Sequence, residues 1–244
     1  MRSKILYPLI LAVLIILAIV GMQTDERSFL GSLFAAFLSV SVVIFIETEL
    51  RPQISIVKEE KPHVQPDGRR FLRVIVENCA LWWPLKLVMD RRPVYQAKAR
   101  ITFLTESNDP VFSEEREMIG RWSNTPEPSR PVSILHNHIG NPQIGFVWDI
   151  SITRDAVDIG SGANEPLDIV MRSPGEAGCR GWHNRIIGNP SAPPEERFEL
   201  PKGRYHALVT VNASGRSSKA LFRIVCDVGI EDFRLEPIRL PRGL

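Results

Sequence analysis

The stretch YQAKARITF, residues 95–103, alternates without interruption: Tyr95, Ala97, Ala99, Ile101 and Phe103 on one side, Gln96, Lys98, Arg100 and Thr102 on the other. Successive side chains of a strand point to opposite faces, so a period of two predicts a strand with one face on a core and one in water. The same period recurs at Phe146, Trp148, Ile150 and Ile152, at Tyr205, Ala207, Val209 and Val211, and at Ala220, Phe222, Ile224, Cys226 and Val228. Shorter strands are expected over 53–58, 71–78, 118–122, 132–136, 167–172 and 198–200. Nineteen prolines argue against long helices among them. Roughly seven to nine short strands punctuated by Gly, Pro and Asn, with no helical period of useful length, predict an all-β antiparallel sandwich.

Within this pattern, LPKGRYHALVTVN at 200–212 sets Gly203 in a turn just ahead of Tyr205, which opens a strand. It resembles the penultimate strand of immunoglobulin-like sandwiches, where a tyrosine closes a corner of the fold. The residue two after the tyrosine is Ala207 and not cysteine, so the resemblance implies a member of that class without its inter-sheet disulfide. Cys79, Cys179 and Cys226 are odd in number and lack metal or redox spacing, which points to free thiols in a reducing compartment.

Upstream of the strands the composition changes. Residues 5–22 and 29–46 are apolar runs without a charge, each of ~18 residues, and at ~1.5 Å rise per residue each reaches roughly 27 Å, close to the ~30 Å hydrocarbon core of a bilayer. Together they read as a transmembrane helical hairpin over 1–50, followed by a single β domain over 51–244. Arg2 and Lys4 precede the first run, while the connecting loop offers Asp25, Glu26 and a lone Arg27. That basic bias places both termini in the cytoplasm of a multi-pass protein of the plasma (inner) membrane. The competing reading is a cleaved signal peptide ending near Met22, although no small-x-small cleavage site stands there. Only a few residues separate 46 from the strand at 53–58, at most ~25 Å of extended chain, so the domain is expected at the membrane surface.

Gly31, Ala35 and Ser39 recur at intervals of four and form a small-residue face on which another helix can pack closely. The first helix of the same chain could fill it, or a second copy in a homo-oligomer. Neither run holds an ionisable residue, which argues against a proton or ion path.

The formal charge of +2 is too balanced to suggest nucleic acid as a partner. The most distinctive surface candidate is WWPLKLVMDRR, residues 82–92. Trp82 and Trp83 are adjacent and cannot share one face of a strand, and Lys86, Arg91 and Arg92 follow them. Such a patch suits a headgroup layer or a protein partner, unless Pro84 marks a bulge and both rings pack beneath a loop.

Chemistry-bearing motifs are sparse. His136 and His138 would share one face of a strand, and Cys179 with His183 could add soft zinc ligands, but no spacing joins the two pairs, and no cofactor is implied. Gly160, Ser161 and Gly162 read as a turn, because Glu165 stands where a dinucleotide fingerprint needs glycine. Asp149, Asp155, Asp158 and Asp168 read as turn formers at strand ends. Two loops stand out, 123–131 and the long 173–196. The expected function is therefore a membrane-anchored, non-enzymatic binding module recognising a protein partner. The alternatives are a sensor whose domain drives oligomerisation, and an enzyme built on His136, His138, Cys179 or His183.

Overall fold

The structure, a computed structural model, describes residues 27–83, 85–87, 89–112, 117–125, 129–134, 143–148, 154–184, 198–227 and 229–241. Side chains are described for these except at 27–30, 32–34, 129–134 and 143–148. The elements in chain order are a helix, α1 (Arg27–Glu49), then β1 (Ile54–Lys58), β2 (His63–Val64), β3 (Arg70–Asn78), β4 (Val94–Leu104), β5 (Met118–Ile119), β6 (Arg121–Trp122) and β7 (Ser129–Ile134). They continue with β8 (Gln143–Trp148), β9 (Ala156–Ile159), β10 (Asn164–Arg172), β11 (Cys179–Gly181), β12 (Glu199–Leu200), β13 (Arg204–Ala213), β14 (Arg216–Val225) and β15 (Arg234–Ile238). The chain divides into two compact units: Met1–Arg51 with Ala80–Arg92, and Pro52–Cys79 with Pro93–Leu244. The segment Ala80–Arg92, expected inside the β domain, groups with the helix.

The second unit is built from two packed antiparallel sheets. One runs β1-β3-β10-β11-β12, with β2 on β3 and β6 on β10; the other runs β15-β14-β13-β4-β5, with β9 on β4. β7 and β8 form a separate hairpin. Between the sheets lie Val74 and Val76 of β3 and Leu167 and Ile169 of β10, facing Ala99, Ile101 and Phe103 of β4, Val209 and Val211 of β13, and Phe222 and Ile224 of β14. The predicted alternation thus lands on the core face, because each of these strands must bury every second residue. Truncating one core aromatic, such as Phe103 to alanine, costs about 3 to 5 kcal/mol in a site of this kind.

Two departures from simple alternation have local causes. In β4 the predicted core residue Tyr95 is 59% exposed, whereas Val94 is fully buried. Gln96 adopts φ +51°, and the pairing with β9 slips between Val94 and Ala97, so one extra residue turns the first part of the strand over. The strand expected over 118–122 is split. β5 pairs with β4 in one sheet and β6 with β10 in the other, so the chain changes sheets at Gly120. A Cβ at that corner would stand 2.9 Å from both Ala99 Cβ and Leu167 Cδ1, which explains why glycine occupies it.

Candidate functional site

The segment Ala80–Arg92 follows a strand that ends at Asn78 and precedes one that begins at Val94, just after Pro93, which has no N–H to donate to a ladder. It closes into a short 3₁₀ turn, Leu85–Leu87, flanked by bonds from the Lys86 N–H to the Trp82 carbonyl at 3.4 Å and from the Met89 N–H to the Leu85 carbonyl at 3.1 Å. Trp82 and Trp83 are 42% and 68% exposed, and Leu87 and Met89 are exposed beside them.

The same segment is fastened to the foot of α1. The Arg92 N–H donates to the Leu50 carbonyl at 2.8 Å, and Arg91 Nη1 donates to the Arg51 carbonyl at 2.9 Å. Both acceptors lie just beyond the last turn of the helix, where backbone carbonyls lack intrahelical donors. Arg92 also approaches Glu47 at 4.0 Å, and Glu47 pairs in turn with Arg51. Of the residues singled out in the sequence, Trp82, Trp83, Lys86 and Arg92 are each exposed. Arg91 is buried and serves as the fastener.

Along α1, Gly31 has no heavy atom of the described residues within 4 Å of the place a Cβ would take, Ala35 is exposed, and Ser39 Oγ donates to the Ala35 carbonyl at 2.8 Å, which satisfies the hydroxyl within the helix. Among the described residues no helix is long and apolar enough to cross a membrane. The first apolar run, 5–22, lies outside the described residues.

The β domain brings together a polar cluster around Asp168, an acid that the sequence reading assigned to a turn. Asp168 lies within β10 and is 1% exposed. Its carboxylate accepts from Arg73 Nε at 2.6 Å, Ser123 Oγ at 2.8 Å and Arg121 Nη1 at 3.4 Å. Arg121, itself buried, also donates to Asn184 Oδ1 at 3.0 Å and to the Thr125 carbonyl at 3.1 Å, and Asn184 donates to Asp155 at 3.4 Å. The network holds the start of the 123–131 loop, through Ser123 and Thr125, and the middle of the 173–196 loop, through Asn184, and its signal in the sequence was an acid set inside the apolar run Leu167–Met171. Asp158 likewise lies in a strand, β9, and accepts from the Gln96 N–H at 2.8 Å. Asp149 lies outside the described residues. Gly160–Gly162 forms the expected turn, closed by the Ala163 N–H on the Gly160 carbonyl at 3.2 Å.

Cys179 and His183 do not meet as a ligand pair. The His183 ring packs edge-on against Phe198 at 5.4 Å, and Cys179 faces Cys226 across the core. The Cys226 thiol accepts a hydrogen bond from Cys179, which holds it below the usual thiol range and pushes Cys179 well above it, with burial adding to the rise. Tyr205, raised first by burial and then by the two thiols, completes this group. Three free cysteines are present, Cys79 half-buried and the other two buried. His136 and His138 lie outside the described residues, and among the described residues no group of three His, Cys, Asp or Glu could hold a metal ion.

Two open clefts mark the surface of the sandwich. One of about 310 Å³ lies beside Cys179, between Glu176–Arg180 and Glu199–Pro201. The other, of about 690 Å³, has Lys98 and Arg154 facing Asp155, Asp158 and Glu165. Their walls offer hydrogen bonds and mixed charge. No protein-family model matches the chain, and neither curated proteins nor solved structures yield a match.

Proposed function

We propose that this chain is an integral membrane protein that displays a β-sandwich as a non-enzymatic binding module. In this reading residues 5–22 and 29–46 cross the plasma (inner) membrane as a helical hairpin, both termini are cytoplasmic, and loops and edges of the sandwich engage a protein partner. The observation behind it is the surface of α1. From residue 35 to residue 40 every side chain is exposed, and Phe37, Val40 and Val43 are 55%, 56% and 58% exposed. Apolar surface on all faces of a helix is unfavourable in water and suited to hydrocarbon. The helix has 23 residues, about 34 Å at ~1.5 Å each, and Arg27 and Glu47 bracket its uncharged length.

For the sandwich we take an immunoglobulin-like arrangement in the broad sense. Its support is local: a Cβ at Gly203 would stand 3.3 Å from the Tyr205 hydroxyl, so the tyrosine ring folds back over the turn that opens β13.

Membranes containing the full chain, washed with alkaline carbonate, provide the test. Retention in the lipid pellet is expected, and release into the supernatant would remove the membrane reading. A second reading, in which the sandwich responds to a ligand and the helices assemble, draws on the stripe of Gly31, Ala35 and Ser39. Cross-linking in detergent that yields oligomers, abolished by Gly31→Leu, would favour it over the plain anchor.

A further inference from the structure

We propose that the segment Ala80–Arg92 is an interfacial seat: its two indole rings lie in the headgroup layer of the bilayer and fix the depth of α1. The proposal rests on the membrane reading of α1 given above. Its own grounds are three features of the helix unit.

The first is level. Backbone and side-chain bonds tie Arg91 and Arg92 to Leu50 and Arg51, a few residues beyond Ile46, where the apolar run of the helix gives way to Glu47. A helix whose uncharged length fills the hydrocarbon emerges at that point, so whatever is fastened there stands among the headgroups. The second is chemistry. Trp82 and Trp83 are adjacent and both exposed, with Leu87 and Met89 beside them. Two bare indoles are costly in water, whereas a ring with an apolar body and one N–H donor partitions to the boundary between hydrocarbon and water. The third is continuity, because this apolar patch and the exposed apolar side chains of α1 belong to one compact unit.

Charge identifies what the seat recognises. Arg51, Lys86, Arg91 and Arg92 stand near Glu47, Glu49 and Asp90, so the local balance is nearly even. A polybasic element draws on anionic lipid and weakens with salt. This segment instead binds through its indoles, and zwitterionic and anionic bilayers serve it alike. A protein partner on the same rings is the competing occupant, and the test separates the two.

The full chain is reconstituted into phosphatidylcholine vesicles, with and without phosphatidylglycerol, and tryptophan emission is read against the W82F/W83F variant to isolate the two rings. Phenylalanine keeps the apolar bulk at two exposed positions, and the single variants W82F and W83F repeat the measurement should the double variant misfold. Acyl chains brominated near the carbonyl are expected to quench the isolated signal more than chains brominated near the bilayer centre. Acrylamide in the water should quench it weakly, and phosphatidylglycerol and salt should leave both results unchanged. Strong quenching by acrylamide and none by brominated lipid, in vesicles from which carbonate does not release the chain, overturns the seat and leaves the membrane reading intact. Release by carbonate overturns both. Rings that brominated lipid reaches in purified vesicles but not in native membranes, where acrylamide is also excluded, would assign them to a protein partner and overturn the seat.

Discussion

Arg73 Nε donates to Asp168 Oδ1 at 2.6 Å, and the two residues are direct partners in the pairing of β3 with β10. The carboxylate is almost fully buried, and the surrounding donors, Arg121 and Ser123, come from the strand and turn that cross to this sheet after Gly120. A buried charge deprived of its partner is far more costly than a pair is favourable.

Asp168→Asn should therefore destabilise the sandwich by about 3 kcal/mol, since it leaves the buried Arg121 without its counter-charge. Arg73 is 14% exposed, and its loss still leaves Asp168 with Arg121 and Ser123, so Arg73→Ala should cost less, about 2 kcal/mol. Urea midpoints of the detergent-solubilised chain would show the difference, and equal costs for the two variants would contradict the assignment of Arg121 as the dependent partner.

Gly120→Ala tests the crossing between sheets. The new Cβ would meet Ala99 Cβ, which is fixed to its backbone and cannot swing aside. Overpacking at such a point costs about 2 kcal/mol. A melting temperature equal to that of the parent chain would mean that the strands do not change sheets here.

The surroundings of His206 predict a pH dependence of the fold. The imidazole is buried in β13, with Nδ1 2.9 Å from Asn108 Oδ1. Burial, then the nearby Arg223, lower its pKa from 6.5, and Glu106 opposes them in part. A histidine with a lowered folded pKa favours the neutral form in the fold. Its contribution is complete above 6.5 and is lost as the pH falls from there through the folded value. Denaturant midpoints should drop as the pH falls below about 6.5, and His206→Gln should flatten that part of the profile. A parent and variant with parallel profiles would contradict it.

Thiol labelling reads the packing of the two sheets. Cys79 is half-buried, while Cys179 and Cys226 are enclosed between them. A water-soluble maleimide should modify Cys79 in the native chain and the other two only in denaturant, as peptide mass mapping would reveal. Rapid native modification of Cys226 would be inconsistent with a closed core.

The sandwich was legible wherever one face of a strand is buried, because burial enforces a period of two. Ala97, Ala99, Ile101 and Phe103 show it plainly. It failed at Tyr95, where a bulge at Gln96 inverts the period, and no local residue preference marks a positive φ at glutamine. Cys179 and Cys226 meet across the core although 47 positions apart, a distance over which spacing carries no information. Asp168 was read as a turn former because acids favour strand ends, yet its four-way network depends on Arg73, Ser123 and Arg121 arriving from distant parts of the chain. The Trp82–Trp83 patch was visible as composition. Its fastening to Leu50 and Arg51 was not, since a backbone bond leaves no trace in side-chain pattern.

Protease accessibility tests the proposed membrane topology most directly. Protease added to sealed cells should leave the sandwich whole, and the same protease added to inside-out vesicles should degrade it to a short membrane-protected fragment that includes α1. Digestion of the sandwich from outside sealed cells would contradict the account.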